Sequence, residues 1–151
     1  MAYFTYDTSV CISRNIDFQK MPPKFLLSAV VMMELMAGDP NKSRRKFFAE
    51  FFRQFQKDNL IIVPNADDWL LAANVLHLLS HSRRRLQKGK LKRLQPGASQ
   101  RLALDVPIAV SARRWKAQVV TENWTDFKAI QRYCNTTIVR AAVLQEMTSS
   151  S

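Results

Sequence analysis

Short apolar runs alternate along this chain with longer stretches of helical periodicity. Strand-like runs span residues 3–8, 24–27, 60–64, 117–121 and 136–139. They are brief and contain many β-branched or aromatic residues, as strands do. Parallel strands buried on both faces have this apolar character throughout. We therefore expect these segments to form the strands of a sheet.

Between the strands, apolar residues recur every three or four positions, which indicates helices. The predicted helices span residues 29–37, 43–57, 67–80, 105–115 and 127–133. Ser28 is a candidate cap for the first of them. Asp105, with Pro107 two residues later, is a plausible start of the fourth, because proline is tolerated in a first turn. Alternating strands and helices predict an α/β fold, with a short, mainly parallel sheet between helices in three layers.

Length and composition narrow the class of protein. At 151 residues the chain suits one domain, which we expect to span residues 1–147, with residues 148–151 as a disordered tail. No apolar run approaches the roughly 20 residues that cross a bilayer, and the start lacks a secretory signal pattern. We therefore expect a cytoplasmic protein that is not bound to a membrane. Cys11 and Cys134 lack metal-type spacing and are expected to be packing residues.

The charge of the chain is strongly positive, at +11, and favours an anionic partner such as a nucleic acid or an acidic protein. Seven basic residues crowd the predicted connector over residues 82–101. They are Arg83, Arg84, Arg85, Lys88, Lys90, Lys92 and Arg93. This segment is either a solvated connector or an arm that binds the RNA backbone without reading its sequence.

Three acids interrupt apolar sequence. Asp7 follows the first strand, Glu34 lies inside an apolar helix, and Asp105 separates two apolar runs. A buried carboxylate without a partner is costly, so a shared metal ion is one explanation for all three. Separately, Asp7 suits a turn, Asp105 suits a helix cap, and Arg44 is close enough in sequence to neutralise Glu34.

The sheet edge where strands end is the expected ligand site of an α/β fold. Asp7 and Asn123 both follow predicted strands at that edge. Helices that start there are expected to aim Glu34 and Asp105 into it. Asp126 is near enough in sequence to contribute, or else it caps the helix that follows it.

Four fragments carry a family pattern in a definite order. They are Tyr6-Asp7-Thr8-Ser9, Ser28 through Glu34-Leu35 to Gly38, Leu104-Asp105-Val106-Pro107-Ile108-Ala109, and Val119-Val120-Thr121-Glu122-Asn123 with Asp126-Phe127. In this order and spacing they resemble PIN-domain ribonucleases, and most closely the VapC-like toxins of toxin-antitoxin pairs. The resemblance covers nearly the whole chain. It implies a PIN-like α/β domain that hydrolyses RNA phosphodiester bonds as a metal-dependent endoribonuclease.

The same resemblance implies roles for single residues. Its catalytic set is Asp7, Glu34, Asp105 and Asn123. The cofactor is Mg²⁺ or Mn²⁺, a hard cation suited to carboxylates, with Asp7, Glu34, Asp105 and, less directly, Asp126 as its ligands. Supporting roles fall to Thr8, Ser9 and Thr121. The implied partners are an RNA substrate, a cognate antitoxin protein and a second copy of the chain in a homodimer.

Two alternatives accompany this interpretation. Asn123 is neutral where the four-acid pattern has an acid, which motivates a catalytically weak PIN module that binds RNA or a protein partner without cleavage. His77 and His81 are four residues apart on a predicted helix, as zinc ligands often are. No third zinc ligand is evident in the sequence, so histidines without a metal are the expected outcome.

Overall fold

A computed structural model of the chain describes residues 2–86 and 98–142, with five strands and six α-helices in those ranges. The strands are β1 Phe4–Tyr6, β2 Leu27–Ser28, β3 Ile61–Ile62, β4 Gln118–Thr121 and β5 Ile138–Arg140. The helices are α1 Thr8–Ser13, α2 Ala29–Gly38, α3 Lys42–Lys57, α4 Ala66–Leu86, α5 Ala98–Arg114 and α6 Trp124–Gln131. A 3₁₀ turn covers Phe18–Lys20.

Every pair of neighbouring strands in the described chain is parallel. β4 lies between β1 and β5, while β2 pairs with β3. The two sheets meet where the Leu26 N–H donates to the Phe4 carbonyl over 2.8 Å, beside a bridge between Phe4 and Phe25. The carboxyl ends of the strands therefore face one common edge, and the predicted parallel α/β fold is confirmed.

Most of the core surrounds α5 and the central strand β4. Val106, Val110 and Val119 are fully buried, as is Phe127 from α6. The phenylalanine stripe of α3 covers another side of the core, where Phe18 contacts the rings of Phe48 and Phe51. Helices thus flank the strands and hold their carboxyl ends in register.

The predicted strands are longer than the observed ones. The run over residues 3–8 ends as a strand at Tyr6, because Asp7 caps α1 and Thr8 is already helical. The run over residues 24–27 contributes a strand only at Leu27–Ser28. Ser28 does cap α2, as expected, by accepting a hydrogen bond from the Val31 N–H.

The prediction that a helix begins at Asp105 is wrong. α5 begins at Ala98, so Asp105 lies well inside it and Pro107 stands in the helix interior. An interior proline costs about 3 kcal/mol and one backbone hydrogen bond. The flanking residues Leu102, Val106 and Ile108 are buried, and this burial outweighs the cost.

The predicted connector over residues 82–101 is wrong at both ends. α4 continues to Leu86 and α5 starts at Ala98. Arginine and leucine favour helices, and nothing between Ala66 and Leu86 interrupts one. Within the ranges given above, no helix is long and apolar enough to span a membrane.

Candidate active site

Asp7 is buried at the point where β1 ends and α1 begins. Its Oδ1 accepts hydrogen bonds from Ser9 Oγ at 2.7 Å and from the Val10 N–H at 3.1 Å. Its Oδ2 accepts from the buried hydroxyl of Thr121, 2.6 Å away on the neighbouring strand β4. Burial raises the pKa of Asp7, and these three hydrogen bonds oppose that rise. The carboxylate is thus held rigidly at the sheet edge.

Glu34 approaches Asp7 from α2. Thr8 Oγ1 donates to Glu34 Oε1 over 2.9 Å, linking the first turn of α1 to α2. Burial raises the pKa of Glu34, and the charge of Asp7 raises it further. Arg44, considered above as a partner for Glu34, instead forms an ion pair with Asp39 at 2.8 Å. That alternative is therefore wrong.

Asp105 reaches the same edge from the middle of α5. The side-chain amide of Asn123 donates to Asp105 Oδ2 over 3.1 Å and to Asp126 Oδ2 over 3.0 Å. Asp126 lies in the first turn of α6, which starts at Trp124. The prediction that Asp126 caps a helix beginning at residue 127 is therefore wrong. One amide links two of the acids.

The acids share one electrostatic neighbourhood. Burial raises the pKa of Asp105 to about 7, and the charges of Asp7, Glu34 and Asp126 add to this effect in that order. In the described chain, no lysine or arginine forms an ion pair with Asp7, Glu34 or Asp105. The fold thus gathers carboxylates whose negative charges destabilise one another.

Glu122, although it adjoins the site in sequence, faces away from it. Its carboxylate forms an ion pair with Arg14 at 2.9 Å and accepts a hydrogen bond from Ser13. These contacts lower the pKa of Glu122. The expectation that Glu122 points elsewhere, because neighbouring residues of a strand face opposite sides, is confirmed.

The two cysteines are free and buried, as expected for packing residues. Burial and the charges of Asp7 and Glu34 raise the pKa of Cys11 to about 12. Burial also raises the pKa of Cys134. Since the thiolate is the nucleophile, neither residue is suited to nucleophilic catalysis near neutral pH.

Metal binding can be tested against the donor set and against its geometry. Asp7, Glu34 and Asp105 offer the oxygen ligands that Mg²⁺ and Mn²⁺ prefer, and a cation would relieve the repulsion that raises the pKa of Asp105. In geometry, no three His, Cys, Asp or Glu side chains within residues 2–86 and 98–142 are arranged so that they could hold one ion. Donor chemistry therefore fits a metal, while the side-chain positions are those of the metal-free chain.

Two sets of residues singled out by sequence lie apart from the acids. His77 and His81 are exposed on α4 with their rings stacked 6.0 Å apart, and no third ligand joins them in the described chain. The basic set lies outside the described part, namely the side chains of Arg83, Arg84 and Arg85 and the whole of Lys88, Lys90, Lys92 and Arg93. Their predicted contact with RNA stays a prediction.

Two features of the site had no sequence pattern to announce them. The hydrogen bond between Thr8 and Glu34 joins residues 26 positions apart, a distance at which sequence spacing carries no signal. Trp124, next to Asn123, has Arg140 and Lys128 over its ring. A tryptophan inside the Thr121-Glu122-Asn123 fragment was the one available hint of this cluster.

Comparison with known proteins shows the fold. A chain of DNA-bound VapBC from Salmonella typhimurium is 17% identical, with a TM-score of 0.56 and coverage of 93% of this chain and 98% of that one. A chain of FitAB bound to an IR36 DNA fragment is 14% identical, with a TM-score of 0.52 and coverage of 93% and 94%. A chain of promoter-DNA-bound VapBC2 from Rickettsia felis is 20% identical, with a TM-score of 0.50 and coverage of 93% and 98%.

No protein-family model matches the chain, and no curated protein matches it either. The structural likenesses nevertheless cover nearly the whole length of both partners. They confirm the α/β fold expected from the resemblance to VapC-like PIN domains. At these identities the likeness concerns the fold, and the activity has to be argued from the site.

Proposed function

We propose that this chain is a metal-dependent endoribonuclease that hydrolyses RNA phosphodiester bonds. The observation that carries the proposal is the cluster of Asp7, Glu34 and Asp105 at the carboxyl ends of parallel strands, with the pKa of Asp105 raised by the other acids. Perturbed carboxylates in one concave edge are characteristic of functional sites. The net charge of +11 complements a polyanionic substrate.

Mg²⁺ or Mn²⁺ would be held by the same three carboxylates, with Asp126 at the margin. When bound, such an ion supplies positive charge that stabilises a phosphoryl group under attack by water. Binding requires Glu34 and Asp105 to turn from their present donors, Thr8 and Asn123, toward Asp7. The chain itself contributes the fixed position of Asp7 and exclusion of basic side chains from the cluster.

The decisive experiment is cleavage of a mixed RNA pool by the purified full chain in Mg²⁺, in Mn²⁺ and in EDTA. Asp105→Asn is the test variant, and Asp67→Asn is its matched control, because Asp67 is exposed at the start of α4. We expect cleavage that requires metal, is lost in Asp105→Asn and persists in Asp67→Asn. Cleavage retained by Asp105→Asn would identify a contaminating ribonuclease and contradict the proposal.

The second candidate is a PIN module that binds RNA or a protein partner without cutting. Two observations favour it: the neutral Asn123 where a fourth acid is expected, and the absence of a three-ligand metal arrangement in the described chain. Metal-independent RNA binding by a well-folded chain that cuts nothing in the mixed RNA pool would support this candidate.

We further propose that the chain is the toxin of a toxin-antitoxin pair, with a cognate antitoxin as its partner. The support is its fold, which is shared with chains of VapBC and FitAB. Induced expression of the wild-type chain should arrest growth, whereas Asp105→Asn should not. Normal growth with abundant wild-type protein would argue for a nuclease without toxin activity. The homodimer implied by the family is tested by the molar mass in solution.

A further inference from the structure

An aromatic and basic cluster adjoins the acids at the same edge of the sheet. The Arg140 guanidinium carbon lies 4.6 Å from the centroid of the Trp124 ring, and Lys128 Nζ lies 5.1 Å from it. Trp124 is half-buried, while Lys128 and Arg140 are exposed. We name these three residues the Trp124 cluster.

The backbone fixes the cluster beside the candidate active site. Trp124 directly follows Asn123, whose side-chain amide is bonded to Asp105 and Asp126. Arg140 is the last residue of β5 and pairs in register with Thr121, whose hydroxyl donates to Asp7. Both the aromatic ring and the guanidinium are thus anchored one residue, or one strand, away from groups that hold the acids.

The charges of the cluster are uncompensated within the described ranges. No ion pair there joins Lys128 or Arg140 to a carboxylate, although four acids lie at the same edge. Two cations that adjoin an acidic site and yet pair with an indole ring form a boundary between negative and positive surface. A polyanion that meets this boundary can place one phosphate at the acids and neighbouring groups on the cations.

From this geometry we infer that the Trp124 cluster is a binding subsite for single-stranded nucleic acid, where a base stacks on Trp124 or on the Arg140 guanidinium and the cations contact the adjacent phosphates. Unpaired bases stack on aromatic rings and on arginine planes, whereas bases in a duplex are not available in this way. The inference rests on the proposed function in one respect, because nucleic acid is taken as the ligand. It adds the strandedness of the substrate and the residues that position it.

The test measures binding separately from cleavage. A fluorescein-labelled single-stranded RNA of mixed sequence is titrated with the full chain in EDTA, and its anisotropy is followed. Trp124→Ala should weaken the affinity about tenfold or more, since stacking on an aromatic side chain is lost. Trp124→Phe should stay within about threefold of wild type because it keeps a ring. The matched control is Trp69→Ala, at an exposed tryptophan on α4.

The cations provide variants that do not depend on the tryptophan. Lys128 and Arg140 are exposed, so Lys128→Gln and Arg140→Gln should fold normally. Each should weaken binding and lower the slope of log affinity against log salt by about 0.7, the value for one phosphate contact on a single strand. Equal weakening by Trp69→Ala, or an unchanged affinity in Trp124→Ala and Arg140→Gln, would overturn the inference.

Two further arms decide the class of ligand. The same RNA annealed to its complement should lose less than about twofold in affinity with Trp124→Ala, since its bases are stacked inside the duplex. Equal losses for duplex and single strand would reject the single-strand assignment. A polyglutamate peptide whose binding depends on Trp124 more strongly than that of RNA would overturn the inference in favour of an acidic protein. Trp124-dependent binding by a chain that never cleaves would uphold the subsite and reject the nuclease.

Discussion

The side-chain amide of Asn123 donates a hydrogen bond to Asp105 over 3.1 Å and so binds an acid where the family pattern would place a fourth one. It also donates to Asp126. An amide at this position lowers the pKa of Asp105, against the stronger effects of burial and neighbouring charge. Asn123 thus stabilises the metal-free site while contributing no charge to a cation.

This relationship predicts the behaviour of Asn123→Asp. The variant loses both amide hydrogen bonds and adds a negative charge beside Asp105 and Asp126, so the metal-free chain should lose about 1–3 kcal/mol of stability. Mn²⁺ should then raise its melting temperature more than it raises that of the wild type. Differential scanning fluorimetry in EDTA and in Mn²⁺ measures both effects. Asn74→Asp, at an exposed position of α4, should change neither, and equal responses of the two variants would contradict the prediction.

Asp105 predicts how stability depends on pH. Burial and the neighbouring acids raise the pKa of its carboxyl from 3.8 to about 7. Because the folded state holds this proton more tightly than the unfolded state does, the free energy of unfolding should fall as pH rises from about 4 to about 7. Asp105→Asn carries no such proton. In EDTA its stability relative to wild type should therefore increase by about 2–4 kcal/mol between pH 4 and pH 8.

Urea unfolding of both proteins across that pH range provides the measurement. Asp67→Asn, at an exposed position, controls for the general loss of one negative charge and should track the wild type. Parallel stability curves for wild type and Asp105→Asn would show that Asp105 is not held in a repulsive buried environment.

Thr121 predicts a cost in stability and in site geometry. Its hydroxyl donates to Asp7 over 2.6 Å and accepts the Asn123 N–H over 2.8 Å, all in a buried setting. Thr121→Val keeps the shape but leaves both partners without this hydroxyl, at a cost of about 1–3 kcal/mol. Chemical denaturation checks this, with the exposed Thr125→Val as control. Equal stabilities of the two variants would mean that the buried hydroxyl is dispensable.

Metal binding should be visible without any activity assay. If Asp7, Glu34 and Asp105 share a cation, Mn²⁺ at about 100 times its dissociation constant should stabilise the wild type by about 2.7 kcal/mol, and EDTA should reverse the effect. Glu34→Gln should lose most of this shift, whereas Glu50→Gln, exposed on α3, should keep it. Calorimetric titration with Mn²⁺ gives an independent affinity. A shift of equal size in both variants would place the ion elsewhere.

Local sequence determined much of this protein. Asp7 after an apolar run, Ser28 before a helical run and the phenylalanine spacing of α3 each specify an element through capping and periodicity, which act over a few residues. The alternation of strands and helices then restricts the sheet to parallel pairing. The expectation that Asp7 and Asn123 meet at one edge follows from that topology, and the structure bears it out.

Tertiary structure alone decided what local rules could not. Pro107 marks a helix start by its own preference, yet burial of Leu102, Val106 and Ile108 carries α5 through it. The partners of the acids are likewise distant in sequence: Thr8 holds Glu34, and Asn123 holds Asp105. The stacking of Arg140 on Trp124 depends on β5 lying beside β4. Local sequence thus sets backbone preferences, whereas packing and long-range electrostatics depend on which surfaces the folded chain brings together.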